Sequence, residues 1–310
     1  MSKTALFFPG QASQYVGMGH DLYEGSPQVR DLYLMASDEM GADLAELSFK
    51  GPAEELKRTR FTQPAILVHS LAVLTMLKDN RPEFDYACGH SLGEYGALAV
   101  AGVLSFEDAV RAVVRRAELM EEACQAQAGT MAALMGLEEQ QVQEICDQAS
   151  AKGVVAPANF NSRIQIAVSG SKAAVEYAVE LAKEAGAKRA MLLEVGGAFH
   201  SPLMEPARRG LAEFLTDVDF NAPQATVIAN VTAKPVSGPD EVRDLLVRQV
   251  TSPVRWSQTM AYLTAHGVDR IIEIGPGRVL SGLAKRDMQP EQSITLDTLF
   301  DIESFTMVTA

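Results

Sequence analysis

The sequence predicts an α/β protein, a main domain interrupted by a small ferredoxin-like insert. Two observations lead to it. Residues 84–88, a short apolar-leaning run, enter Gly89-His90-Ser91-Leu92-Gly93 and then a stretch crowded with small residues, 94–102. Strand therefore gives way to helix at a serine between glycines, the nucleophile-elbow pattern. Between residues 128 and 196 the order is strand, helix, strand, strand, helix, strand. The domain division is then 1–127 with 197–310 for the core, and 128–196 for the insert.

Taken in order, residues 5–8 form a buried strand stopped by Pro9-Gly10. Gly17 and Gly19 imitate a dinucleotide loop, but Leu22 stands where its third glycine belongs, so that reading is rejected. Residues 62–77 are an almost uninterrupted apolar helix with Pro64 in its first turn, and His69 there is a core histidine. Ser105 with Asp108 caps a helix reaching about residue 124. In the insert, 130–137, 154–159, 165–169 and 188–195 are strands, and 139–151 and 173–185 helices. The core resumes with helix 202–218, strand 225–231, and helices 241–250 and 256–267. Strand 270–274 follows, closed by the tight turn Gly275-Pro276-Gly277 and helix 279–286; the tail after Asp287 shows little organisation.

Composition narrows the function. Over 310 residues, 47% apolar and 22% charged content describe an ordinary globular protein, and a net charge of −13 argues against holding nucleic acid by the overall field. Cys88, Cys124 and Cys146 show neither paired spacing nor a Cys/His metal pattern, which fits a reducing cytoplasm. The N-terminal apolar run is too short for a signal peptide, and no run reaches the ~18 apolar residues of a membrane span.

Three side chains carry candidate chemistry. The elbow lifts the Ser91 hydroxyl from the sheet and aims the Leu92 N–H at an oxyanion on the attacked carbonyl. Arg116 has Ala112, Val113, Leu119 and Met120 as helical neighbours, an apolar face on which a guanidinium is costly unless an anion meets it. It either snorkels to water, pairs with an internal carboxylate, or binds a carboxylate ligand. His200 lies in a Gly/Pro-rich loop at the predicted domain junction, free to face a cleft.

The chain resembles the malonyl-CoA:acyl-carrier-protein transacylases of fatty-acid synthesis. The resemblance rests on FFPGQASQYVGMG from Phe7, GHSLGEYGAL from Gly89, RAELM from Arg116, NFNS from Asn159 and GAFHSPLM from Gly197. NVTAKPV from Asn230, QVTSPVRW from Gln249 and IEIGPGRVLSGLAKR from Ile272 complete it, in the expected order over nearly the whole chain. It implies an α/β-hydrolase-like core with a parallel sheet and a ferredoxin-like insert. It also implies Ser91 as nucleophile, His200 as base, Gln11 and Leu92 N–H groups as oxyanion hole, and Arg116 as clamp for the malonyl carboxylate. The Gln249 backbone carbonyl would orient the histidine in place of an acid, and Asn159 and Asn161 would stand near the cleft. Ala198-Phe199-His200 resembles malonyl-selective members. No metal and no cofactor are implied, since the CoA thioester is a substrate.

The expected partners are malonyl-CoA and acyl carrier protein, with neither nucleic acid nor membrane. Both partners are anionic, so an acidic protein needs a local positive patch, for which Lys188, Arg189, Lys285 and Arg286 are candidates. Rival readings are a stand-alone acyltransferase of a polyketide or polyunsaturated-lipid synthase, a serine thioesterase or esterase, and a non-catalytic acyl-sensing subunit.

Overall fold

A computed structural model describes residues 3–309. Strand β1 (Lys3–Phe8) leads to four helices, α1 (His20–Gly25), α2 (Pro27–Met40), α3 (Leu44–Lys50) and α4 (Ala53–Leu56). Then come α5 (Thr59–Leu77), β2 (Tyr86–Gly89), α6 (Gly93–Val100) and α7 (Phe106–Ala126). The next stretch is β3 (Thr130–Met135), α8 (Glu139–Ala149), β4 (Val155–Ser162), β5 (Gln165–Gly170), α9 (Lys172–Glu184) and β6 (Arg189–Leu192). The chain closes with α10 (Glu205–Phe214), β7 (Thr226–Val227), α11 (Pro239–Gln249), α12 (Trp256–Ala265), β8 (Val268–Ile274), α13 (Val279–Asp287), β9 (Gln292–Leu296) and α14 (Leu299–Thr309).

Five strands form a parallel sheet in the order β7-β2-β1-β8-β9. β1 is central and buried on both faces, as parallel strands under helices must be. The other sheet, β4-β5-β3-β6, is antiparallel and has the ferredoxin-like order. The two are tied where Phe160 N–H donates to Val254 O (2.9 Å) and Val254 N–H to Ala158 O (2.8 Å).

Several expectations shift. Four helices stand between residues 20 and 56, where no element is expected, although α2 buries Val29, Tyr33, Ala36 and Met40 at helical spacing. α5 begins at Thr59, so Pro64 stands in its second turn rather than its first. The tail is ordered: β9 adds the fifth strand and α14 follows it. The strand expected at 225–231 is shorter: β7 covers Thr226 and Val227, Ile228 N–H still donates to Ala87 O (3.0 Å), and Ile228 then bridges to Pro235. Residues 59–80 are long and apolar enough to cross a membrane by length and composition, but 83% of their most apolar 18-residue stretch is buried inside the protein. His69 on this helix is buried, with Nε2 3.0 Å from Asp297 Oδ1.

Candidate active site

The carboxyl ends of parallel strands are where open α/β sheets bind ligands, and β2 delivers Ser91 there. The turn is sharp enough that Ser91 takes φ 53°, a left-handed conformation uncommon for a residue with a side chain. Its N–H donates to Asn230 Oδ1 (2.7 Å), and its carbonyl accepts from Gln249 Nε2 (3.0 Å). The flanking glycines serve close approach. A Cβ on Gly93 would lie 2.1 Å from Phe8 O, and one on Gly89 would lie 2.0 Å from Gly93 O. α6 therefore starts directly against β1, beside the serine.

His200, also at positive φ (56°), is 4% exposed. Its Nε2 is 2.8 Å from Ser91 Oγ, and its Nδ1 is 2.8 Å from the Gln249 backbone O. A carbonyl can only accept, so Nδ1 carries the proton and Nε2 offers its lone pair to the Ser91 hydroxyl. Burial, with the Arg116 cation nearby, pulls the pKa down to about 3, which keeps the ring neutral at ordinary pH.

Arg116 neither snorkels nor meets a carboxylate in a hydrogen bond. It is 1% exposed and donates to three neutral oxygens. Nη2 reaches Ser91 Oγ (3.0 Å) and Gln249 Oε1 (3.0 Å), and Nη1 reaches Gln63 Oε1. Its Nε has no partner among the described residues. Desolvation lowers its pKa, opposed by Tyr95 and Glu94.

Ser91 and His200 face a 410 Å³ cavity that Gln11, Leu92, Asn159 and Asn161 also line. Asn161 Oδ1 is 2.8 Å from His90 Nε2, and Asn159 sits where β4 meets Val254. Of the four candidate docking cations, all exposed, Arg286 lines the cavity. Gln63, Glu94 and Asn230 were missed, as was the side chain of Gln249 (expected to act through its backbone alone). Glu94 accepts from Gln249 Nε2 (2.6 Å) and Asn230 N (3.1 Å), and burial pushes its pKa up to about 7. The signals present were a carboxylate among small residues in the turn after the elbow, and Asn230 opening a quoted motif.

An alcohol bonded to a neutral imidazole, with a buried cation at its oxygen, is a class of site able to attack an acyl carbon and hold an anion beside it. Residues 6–299 match the family model for the acyl transferase domain, and the chain belongs to that family. It is 46% identical to a malonyl CoA-acyl carrier protein transacylase of Bacillus subtilis, over 92% of this chain and 90% of the relative. The crystal structure of an acyl carrier protein S-malonyltransferase from Vibrio cholerae superposes with TM-score 0.92 at 42% identity, covering 98% of this chain and 99% of the other. A malonyl-transacylase in complex with a type II polyketide synthase acyl-carrier protein gives TM-score 0.93 at 40% identity, covering 99% and 100%.

Proposed function

We propose that this chain transfers malonyl from malonyl-CoA to the pantetheine thiol of acyl carrier protein, supplying fatty-acid elongation. Arg116 carries the reading: a buried cation at the nucleophile's oxygen gains charge-assisted bonds from a carboxylate and none from a neutral acyl chain. The family match and the relatives' names support it.

Ser91 Oγ attacks the thioester carbonyl while its proton passes to His200 Nε2. Backbone N–H groups of Gln11 and Leu92 receive the oxyanion. The C–S bond breaks, CoA leaves with the proton from His200, and malonyl-Ser91 remains with its carboxylate on Arg116. The carrier thiol then attacks, giving its proton to His200, which returns it to Ser91 Oγ as the ester breaks. Kinetics should be ping-pong, and the scheme draws on no cofactor. Gln249 orients the imidazole through its carbonyl, while Asn159 and Asn161 shape the cavity.

Arg116→Ala tests this. A bound acetyl group gives the buried guanidinium no counter-charge, and breaking such a pairing costs about 3 kcal/mol, roughly two decades. The malonyl-CoA to acetyl-CoA ratio of kcat/KM should therefore fall about a hundredfold in the variant, reversing the preference. An unchanged ratio would strike Arg116 as the clamp for the malonyl carboxylate.

A second reading, service to a polyketide carrier protein, is favoured by the likeness to the polyketide malonyl-transacylase. Rates with fatty-acid and polyketide carrier proteins side by side separate the two. We place the enzyme in the cytoplasm, with 128–196 as an insert between core segments 1–127 and 197–310. Lys188, Arg189, Lys285 and Arg286 form the carrier-protein patch.

A further inference from the structure

Glu94, in the first turn of α6, is a 2% exposed carboxylate that the scheme above does not use. Its Oε2 accepts one amide hydrogen of Gln249 (2.6 Å), and Ser91 O accepts the other (3.0 Å). With both hydrogens committed, Gln249 Oε1 can only face Arg116 Nη2, which donates to it at 3.0 Å. We propose that Glu94 is a positioning residue for acyl selectivity: by fixing which way the Gln249 amide points, it holds the Arg116 fork ready for a carboxylate. This rests on the reading of Arg116 as the malonyl clamp.

Without the acceptor at residue 94 the amide keeps only its bond to Ser91 O and the one from Arg116, so its plane can swing about them and carry Oε1 off the guanidinium. The Arg116 Nη2 bond then lengthens, and the fork leaves its line. A malonyl group loses its clamp, whereas an acetyl group never used it. The second bond of Glu94, from Asn230 N–H (3.1 Å), acts differently. Asn230 holds Ser91 N and Gly89 O, so loosening it affects every acyl donor alike and cancels in a ratio. Burial pushes Glu94 up to about 7, yet a proton on Oε1 leaves Oε2 still accepting. The working part is the acceptor atom rather than the charge, so glutamine at this position should suffice.

The experiment measures kcat/KM with malonyl-CoA and acetyl-CoA for the parent, Glu94→Ala, Glu94→Gln, Arg116→Ala and the double Ala variant. Glu94→Ala should lower the malonyl-to-acetyl ratio about tenfold, the worth of one hydrogen bond to a charged group. Glu94→Gln should restore it, and Glu94→Ala should add nothing in the Arg116→Ala background. An equal loss for both donors, a ratio loss that persists in Glu94→Gln, or additivity with Arg116→Ala would overturn the proposal. If Glu94→Ala does not fold, as judged by circular dichroism, Gln249→Met removes the same amide and must lower the ratio as much; an unchanged ratio there overturns it equally. A parent ratio near one would strike the reading of Arg116 instead, and shows itself without any variant.

Discussion

Ser91 is held in a left-handed turn by bonds to both its N–H and its C=O, and strain of this kind persists only where surroundings over-determine it. The two titrating groups of this network have opposite effects on stability. His200 falls from 6.5 to about 3 on folding, so between those values the folded chain binds fewer protons and stability drops as pH falls. Glu94 rises from 4.5 to about 7, so in that window the folded chain binds more protons and stability drops as pH rises. From about pH 4.5 to 6.5 the two slopes oppose each other. His200→Ala removes one of them. Urea unfolding of parent and variant at pH 5.5 and 4.5 should therefore show the stability difference shifting by about 1.4 kcal/mol, against the parent on acidification. A difference that does not move would place the imidazole in water.

At the scale of elements, the joint between β1, β2 and α6 positions Ser91, and it is a packing joint. Gly93→Ala drives a Cβ against the backbone oxygen of Phe8, which has no rotamer by which to yield. We expect a loss of about 3 kcal/mol in urea unfolding, the upper range for overpacking, and a loss below about 1 would contradict the account. Such elements were legible in the sequence because their signals are local. The elbow announces itself by glycine spacing, Arg116 by its apolar neighbours on one helical face, and His200 by the loop that carries it. Gln63, Glu94 and the Gln249 amide were not, because their polar partners lie 53 and 155 residues away along the chain. Periodicity says which face a residue occupies, not which distant atom it meets. β9 was hidden for a related reason, since most of its residues are only half buried and give no clean alternation.

At the scale of the molecule, the antiparallel sheet is joined to the core through β4 and residue 254, and residues of this sheet and of α13 both line the cavity. A net charge of −13 opposes any anionic partner, so docking must depend on local positive charge. Reversing Lys285 and Arg286 together to glutamate should raise the KM for carrier protein about tenfold, and the effect should shrink in high salt. An unmoved KM would dismiss this patch. The central claim is that the Ser91 oxygen carries the acyl group between donor and acceptor. Intact-protein mass spectrometry after mixing with malonyl-CoA tests it most directly. The parent should gain one malonyl group, and Ser91→Ala none; an adduct that survives in Ser91→Ala, or a parent that gains nothing, would contradict it.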